Sequence, residues 1–439
     1  MRTFTTIWFG QLVSTIGSYM TEFALTLWVW ESTGSATAVA LLGFFSQIPR
    51  IPITLFAGLI VDSPTARLRD RLTRKRLMML GDAVAALSTV GIGLLYLSDS
   101  LHIWHLYLAA TFNGGFSQIQ SLAYQTSIST LVPPAQLLRA NSMNSVVHYG
   151  AAILGPALAG VLYPLVGLLG IVGIDLVSFG VAIATLCTCH IPQPPLRAEA
   201  ELETLFAKLT FGFREVWRQP TLRALLLISA LFWFFHDFGG AIYDPMILAR
   251  SNGSAVVLAS TASAAGLGGV IGAVLLSVWG GPKRRVTGML AGFVGAGLSK
   301  TVFGLGRSPR IWVPAQFCSS LNFPLLGSSE TALWMEKIAP EQQGRVFAAN
   351  ALVLQVVSAG ATLMAGPLAD RILEPAMVPT GHLANLLGGV VGTGPGAGMA
   401  LLYVVCALAM VGVGLVGYWI PELKRLEHPL PKPDRATPG

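Results

Sequence analysis

Long apolar runs alternate with short polar segments along the whole chain. A helix needs roughly 20 mostly apolar residues to cross the hydrocarbon core of a bilayer, which is about 30 Å thick. Runs of about this length predict twelve membrane-spanning helices, here called spans one to twelve: 7–30, 37–61, 77–97, 102–124, 141–164, 167–189, 222–248, 254–280, 286–306, 311–333, 345–369 and 398–420. The predicted fold is therefore all-α and integral to the membrane.

Polar segments divide the predicted spans into two bundles of six. We expect an N-terminal bundle at 1–189, a cytoplasmic linker at 190–221, a C-terminal bundle at 222–420 and a disordered cytoplasmic tail at 421–439. Apolar residues recur at helical spacing in the linker, which predicts an amphipathic helix on the membrane surface; a solvated linker is the alternative. The apolar segment 370–397 is too short and glycine-rich to span, so we expect an outer loop that dips toward the membrane interface.

The composition agrees with lipid as the main solvent of the chain. Apolar residues make up 53% of the 439 positions and charged residues 11%, against roughly 25% charged residues in soluble domains. The net charge of +7 does not predict nucleic-acid binding, because the positive residues lie between apolar runs and form no basic face. The four cysteines form no CxxC pair and are expected to be packing thiols.

The distribution of Lys and Arg predicts the orientation in the membrane. With the N-terminus in the cytoplasm, 22 of the 28 Lys and Arg residues fall at inner ends of spans and four at outer ends, while Arg50 and Lys300 lie within spans. Cytoplasmic loops of membrane proteins carry an excess of positive residues. Both termini are therefore expected in the cytoplasm.

Three sequence landmarks recur in the same order in the two halves. "RKRLMML" corresponds to "KRRVTGM" 209 residues later, and the closing Asn residues of "PPAQLLRAN" and "PEQQGRVFAAN" are also 209 apart. "GPALAG" corresponds to "GPLAD" at an offset of 211. The order indicates a duplicated six-span unit. By this correspondence we predict that Lys283, Arg284 and Arg345 belong to a gate of the second half.

Charged side chains within spans are candidates for function, since each costs about 2.5–3.5 kcal/mol at the centre of a bilayer on insertion scales. Glu22 in span one and Arg50 in span two differ in height by roughly 6 Å at about 1.5 Å per residue. We predict that they form an ion pair and that Glu22 is a candidate proton carrier. Asp237 in span seven is the second candidate for proton coupling. His148 in span five is the third, with a hydrogen-bonded packing role as the alternative.

Two further carboxyls lie closer to the ends of their spans. Asp175 near the outer end of span six and Glu330 near the inner end of span ten are expected to pair or to reach the membrane interface. Burial in apolar surroundings favours the protonated form of a carboxyl, which is the property that proton coupling requires.

Motifs of other functional classes are missing from the sequence. It contains no HExxH, no GxSxG and no Walker motif, and "GLGGVIG" lies within a span, where no nucleotide-binding turn is expected. We therefore expect neither an enzyme nor a bound cofactor or metal.

Over essentially its whole length the sequence resembles the major facilitator superfamily, and within it the bacterial drug:proton antiporters of the macrolide-efflux and enterobactin-export type. The stretches that carry this likeness are "LWVWESTGSATAVAL", "WGGPKRR", "PEQQGRVFA" and "GPLADRILEPAM". The resemblance implies two six-helix repeats, a substrate site between them near the bilayer midplane, and exchange of substrate for protons.

The loop between spans two and three resembles the cytoplasmic gate motif of that superfamily. Gly58, Asp62, Asp70, Arg71 and Arg74 are the candidates for this motif. In the family, its Asp ties the second span to a neighbouring helix terminus when the inner gate is closed. The insertion "SPTARLR" leaves open whether Asp62 or Asp70 has that role, and charges that only set the topology are the alternative.

"AAILGPALAG" in span five resembles the antiporter motif of exporters, with Gly155, Pro156 and Gly160 at its centre. Ala151 and Ala159 stand where that motif usually has glycine. Small residues four apart let a partner helix approach closely, and we expect this helix to come from the other half. A glycine-rich packing face without antiporter meaning is the alternative.

The expected function is therefore export of a small amphipathic compound, such as a drug, a siderophore or a secondary metabolite, in exchange for protons by alternating access. An importer or facilitator of a small solute with the same fold is the alternative, because the direction rests on the Gly-Pro motif and the resemblance. The expected partners are the substrate, protons and the lipid bilayer, without nucleic acid. We expect a monomer in the bacterial inner membrane.

Overall fold

The computed structural model describes residues 2–54, 73–133, 136–189 and 205–427. Helices occupy all twelve predicted spans within these ranges: Arg2–Thr33, Ala36–Gln47 with residues 50–54, Arg74–Leu97, Ile103–Leu131, Leu137–Thr188 for spans five and six, Pro220–Ala241 with Tyr243–Arg250, Ala255–Trp279, Arg285–Leu305, Pro309–Leu321 with Phe323–Lys337, Pro340–Leu368 and Ala397–Gly417. The prediction of a twelve-helix, all-α membrane protein is confirmed, although span four continues past its predicted end at 124 to Leu131.

Spans five and six follow each other directly within Leu137–Thr188 and are separated by a break at Gly167. Among the described residues, eight stretches are long and apolar enough to cross a membrane, and one of them, Ser142–Thr188, has 47 residues. At about 1.5 Å per residue it is roughly 70 Å long, enough for two crossings. Its backbone leaves the helical conformation at Gly167, which has a φ of 65°. Glycine adopts this left-handed conformation without steric cost, so Gly167 joins two separate spans.

Prolines explain the breaks within spans seven and ten. Span seven is interrupted at Ile242 and resumes with a helix that contains Pro245. Span ten is interrupted at Asn322, and Pro324 lies in the first turn of the helix that follows. Proline lacks the N–H that a helix interior requires, and its ring clashes with the carbonyl four residues earlier. Each break therefore lies within the four residues that precede a proline.

The segment 370–397 differs from the predicted loop because it is largely helical. A π-helical turn at Ala369–Leu373 continues span eleven, and short helices follow at Glu374–Met377 and Ala384–Val391. The last of these has 8 residues, or about 12 Å, which is too short to cross the membrane. Met377 and Val391 are buried in a small cluster with residues of span twelve, and this apolar contact explains why the segment folds.

The linker and the start of the tail pack against the second half. A helix at Leu205–Arg218 lies in the linker, and its Gly212 approaches the backbone of Arg345 in span eleven. The tail, predicted to be disordered from 421, instead begins with a helix at Pro421–Leu426 that has two leucines buried in the C-terminal bundle. Both segments have an apolar face that contacts this bundle.

The two halves share a hydrophobic core at one end of the molecule. We call the end where span one meets span two the outer end, following the orientation predicted from Lys and Arg. One cluster of buried side chains there combines both halves, for example Leu27 with Leu248. Toward the inner end the described buried residues form two separate clusters, around Phe4 in the first half and Trp334 in the second. This first cluster closes the space between the halves at the outer end.

Candidate functional site

Polar side chains of the two halves meet between spans two and eleven. Ser358 Oγ donates a hydrogen bond to Gln47 Oε1 at 3.0 Å, and Gln355 Nε2 donates one to Thr54 Oγ1 at 3.1 Å. These residues lie near the middle of their spans or on the inner side of it, below the apolar cluster that joins the halves. The contact between the halves is therefore polar at this level.

Glu22 lies between the two halves. Its side chain is exposed to solvent, and it lies within electrostatic range of Arg50 in span two and of Asp244 in span seven. Because span seven belongs to the other half, these neighbours place Glu22 against the space between the halves. Arg50 Nε is buried without a hydrogen-bond partner, and its direct ion pair with Glu22 stays a prediction.

Asp237 lies on the second half's side of the same space. Its side chain is 25% exposed, and its Oδ1 is 3.9 Å from Nδ1 of His236, which is 21% exposed. It also lies within reach of Ser358, the residue that bonds to span two. The His236 ring stacks on Trp233 at a centroid distance of 5.1 Å. This part of the site combines one acidic group with an aromatic surface.

Lys300 is a cationic neighbour of Asp237 that the sequence analysis located within a span without assigning it a partner. It is 6% exposed, its Nζ donates to the Tyr403 hydroxyl at 3.2 Å, and it lies 5.3 Å from the centre of the Tyr403 ring. Asp237 lies within its electrostatic range. The signal in the sequence was the isolated charge itself, since a cation in an apolar span needs an acidic or aromatic partner.

The glycines of the Gly-Pro motif lie at two close helix contacts. A Cβ on Gly155 would overlap the side chain of Tyr19 in span one, and a Cβ on Gly160 would overlap Ala259 in span eight of the other half. Pro156 is buried between these two positions. Close approach to the other half therefore occurs at Gly160, and the meaning of the motif for antiport stays a prediction.

We expect Gly160→Val to loosen this outer contact, because its side chain has no room beside Ala259. Overpacking costs about 1–3 kcal/mol, so a larger fraction of molecules should open at the outer end. The reporter is Ala365→Cys, a buried position in the cluster that joins the halves, in a background without the native cysteines. Its labelling by a membrane-impermeant thiol reagent should rise. Gly150→Val, where a Cβ meets open space, is the control and should leave labelling unchanged.

Asp370 links the halves at the outer end. One of its carboxylate oxygens accepts hydrogen bonds from Ser35 Oγ at 2.7 Å and from the Thr37 N–H at 2.8 Å, and the other accepts from the Ala36 N–H at 3.1 Å. These donors form the N-terminus of span two, which favours a negative charge. The sequence analysis missed this role because it assigned Asp370 to a loop.

Glu374 makes a similar contact within the second half. Its carboxylate accepts from the N–H groups of Gly396 at 3.2 Å and Met399 at 2.8 Å, at the start of span twelve. The π-helical turn places both carboxylates at the rim of an outer cleft of about 1090 Å³. Asp370 therefore holds a helix of the opposite half, and Glu374 holds one of its own.

Three carboxyls are buried inside the bundles. Asp175 is 1% exposed and Glu330 is 7% exposed, so neither reaches the membrane interface as expected. Asp175 accepts from Thr21 Oγ1 at 2.8 Å, and Glu330 Oε1 is buried without a hydrogen-bond partner. Asp82 in span three, which the sequence analysis missed, is 1% exposed and accepts from Gln120 Nε2 at 2.6 Å.

Most of the predicted gate loop, and the side chain of one proton-coupling candidate, lie outside the described residues. These are Gly58, Asp62, Asp70 and Arg71 of the loop and His148 of span five. The role of Asp62 or Asp70 in an inner gate stays a prediction.

The remaining gate candidates are described. Arg74 is buried, and its Nη1 donates to the Thr126 carbonyl at 2.7 Å. Lys283 and Arg284 are exposed, and the Arg345 guanidinium lies 5.0 Å from the centre of the Phe211 ring in the linker helix. Their role in a gate stays a prediction.

Comparison with known proteins agrees with this architecture. The family model described as Major Facilitator Superfamily matches residues 7–362. Macrolide efflux protein A of Streptococcus pyogenes is 25% identical over 371 residues, which cover 84% of this chain and 90% of the relative. Multidrug efflux pump Tap of Mycolicibacterium fortuitum is 23% identical over 430 residues, which cover 96% of each protein.

Solved structures show the same fold. A bacterial homologue of the iron transporter ferroportin in an inward-facing state aligns with a TM-score of 0.66 and 16% identity, covering 95% of this chain and 98% of that one. A bacterial homologue of the human lysosomal transporter Spinster, inward-facing and unoccupied, aligns with a TM-score of 0.64 and 14% identity, covering 97% and 95%.

Proposed function

Because the chain belongs to the major facilitator superfamily, and is thus a multi-pass membrane transporter, we propose that it exports a small amphipathic compound in exchange for protons. The compound is a drug, a siderophore or a secondary metabolite. The observation that carries this proposal is the pair of carboxyls, Glu22 of the first half and Asp237 of the second, which both lie beside the contact between the halves. Relatives named for macrolide efflux and multidrug efflux support the outward direction.

The arrangement of the space suits an amphipathic substrate. Trp233 and Phe323 flank the His236 ring, with Phe323 at a centroid distance of 4.8 Å, and provide an aromatic surface beside Asp237. Aromatic rings bury large apolar areas and also attract cations. A compound with an apolar body and a polar or cationic group therefore finds partners of both kinds here.

Proton coupling follows if substrate and proton compete for the same carboxyls. In the inward-facing state, substrate from the cytoplasm displaces protons from Glu22 and Asp237. The halves then rock, the outer end opens, and protons from the outside displace the substrate. This sequence requires the contacts at Gly160 and Asp370 to break in each cycle.

We expect Glu22→Gln to abolish uphill export while leaving exchange of substrate down its gradient, because the neutral amide cannot release a proton. The measurement is proton-driven uptake of a radiolabelled macrolide into inside-out membrane vesicles, compared with uptake in the absence of a pH gradient. Glu31→Gln, at the exposed outer end of span one, is the matched control and should keep uphill transport. A fully active Glu22→Gln protein would exclude the carrier role.

The substrate class is tested by expression in a bacterial host that lacks its own efflux pumps. The proposal predicts raised resistance to at least one amphipathic toxic compound, or altered siderophore release, together with lower accumulation of that compound. Raised accumulation would instead identify an importer or facilitator. Localisation in the bacterial plasma membrane with both termini in the cytoplasm is part of the proposal, as is a monomeric state, and protease protection of terminal tags tests the orientation.

A further inference from the structure

A line of buried polar groups runs through the N-terminal bundle behind span one. Gln11, Ser14 and Thr21 are 9%, 5% and 7% exposed, and their spacing puts them on one helix face. This face meets Asp82 of span three toward the inner end and Asp175 of span six toward the outer end. The two carboxyls are therefore bound to span one at levels about 15 Å apart, taken from the ten residues between Gln11 and Thr21.

Close helix packing encloses these carboxyls. A Cβ on Gly17 of span one would lie 2.7 Å from Asp175 Oδ1, and a Cβ on Gly81 would collide with Gln120. Glycine at both positions lets the helices approach until the polar groups touch. Both carboxyls are consequently shielded from the lipid and from the space between the halves.

Among the described residues, every hydrogen-bond donor to these two carboxyls is a neutral group. Asp82 accepts from Gln120 Nε2 at 2.6 Å and Gln11 Nε2 at 3.4 Å. Asp175 accepts from the hydroxyls of Thr21 at 2.8 Å, Ser178 at 3.2 Å and Thr89 at 3.4 Å.

No charged or titratable group of spans one, three, four or six in the described part of the chain acts electrostatically on either carboxyl. Glu22 and Asp237, in contrast, have Arg50 and Lys300 within range. An ionised carboxyl without a cation in a bundle interior is costly.

The chemistry of the partners separates two kinds of carboxyl in this protein. Backbone N–H groups, which only donate and so favour the ionised form, supply two of the three bonds to Asp370 and both bonds to Glu374. The third bond to Asp370 comes from the Ser35 hydroxyl. A hydroxyl can either donate or accept a hydrogen bond. The side-chain amide of glutamine donates through its nitrogen, and after a rotation of the amide group its oxygen accepts at the same position. The partners of Asp82 and Asp175 can thus satisfy a carboxylate and, after reorientation, a protonated carboxyl.

We infer that Asp82 and Asp175 are reversible proton-binding sites inside the N-terminal bundle, additional to the carboxyls that face the substrate. Thr21, which binds Asp175, is the neighbour of Glu22 in the chain. One face of span one therefore carries Glu22 beside the other half, and another face carries the contact with the buried Asp175. Movement of span one changes both environments together. This inference extends the proposed proton exchange, but it makes a claim about proton binding that is measurable without transport.

The test is infrared difference spectroscopy of the full-length protein in lipid vesicles, between about pH 5 and about pH 9. A protonated buried carboxyl has its own C=O stretching band. We expect bands that appear at low pH, one lost in Asp82→Asn and another in Asp175→Asn. Asparagine keeps the size of the side chain and both hydrogen-bonding functions, so the bundle should stay folded. Glu374→Gln is the control and should lose neither band.

The outcomes separate this inference from the proposed function. If only one of the two variants loses a band, the inference is supported for the residue replaced in that variant and refuted for the other residue. Bands that survive in both variants, or that do not change with pH, overturn it. In vesicle transport we further expect fewer protons exchanged per substrate molecule in the double variant. If the wild type exchanges no protons, the proposed function fails while the spectral result stands.

Discussion

Asp370→Ala is expected to raise the fraction of molecules that are open at the outer end. The substitution removes three hydrogen bonds that join span eleven to the N-terminus of span two. Loss of a capping side chain costs about 0.5–2 kcal/mol, and a cost of 1–2 kcal/mol changes an equilibrium roughly 5- to 30-fold. Labelling of Ala365→Cys from the outside, the reporter used for Gly160→Val, should rise by a factor in this range.

Glu374→Gln is the matched control for this experiment. Glu374 lies four residues after Asp370, has the same chemistry and holds the N-terminus of span twelve. Because both partners of that contact belong to the second half, its loss should lower thermal stability and leave outside labelling unchanged. Equal labelling in Asp370→Ala and Glu374→Gln would show that the Asp370 contact does not hold the outer end closed.

The second large effect is expected at the charge pair of the C-terminal bundle. An uncompensated charge inside a bundle is costly, and Asp237→Asn removes the carboxylate that lies within electrostatic range of Lys300, which is 6% exposed. Asp237 itself is 25% exposed, so Lys300→Met leaves a carboxyl that water still reaches. We therefore expect Asp237→Asn to lower the melting temperature more than Lys300→Met.

The double variant separates stability from coupling. Asp237→Asn with Lys300→Met no longer contains the buried charge of Lys300, so it should regain most of the melting temperature lost in Asp237→Asn. It should not regain uphill transport, because the carboxyl that exchanges protons is missing. Additive losses of melting temperature in the double variant would contradict the pairing.

The predicted spans agree with the structure because the length of an apolar run is a local property of the sequence. The break between spans five and six also follows from local signals, a proline and glycines near Gly167. Span four continues past 124 although its last two turns are polar, and Ser127 in these turns is fully buried. Hydropathy alone does not distinguish a polar residue inside a bundle from one in a loop.

The missed parts of the site depend on contacts between residues far apart in the chain. Asp370 binds residues 333 to 335 positions away, and no local pattern marks the N-terminus of span two as its partner. Asp82 lies inside span three, and its partners Gln11 and Gln120 belong to spans one and four. Lys300 was visible as a charge in an apolar run, but its partner depends on how spans seven, nine and twelve pack.

Proton movement in inside-out vesicles tests the central claim most directly. The lumen of such vesicles corresponds to the outside of the cell and is made acidic, with a pH-sensitive dye enclosed. Addition of the transported compound identified by the resistance screen should raise the lumen pH as the compound enters and protons leave, and a protein with both Glu22→Gln and Asp237→Asn should give no such change. Uptake of that compound that leaves the lumen pH unchanged, or that acidifies it further, would contradict exchange of substrate for protons.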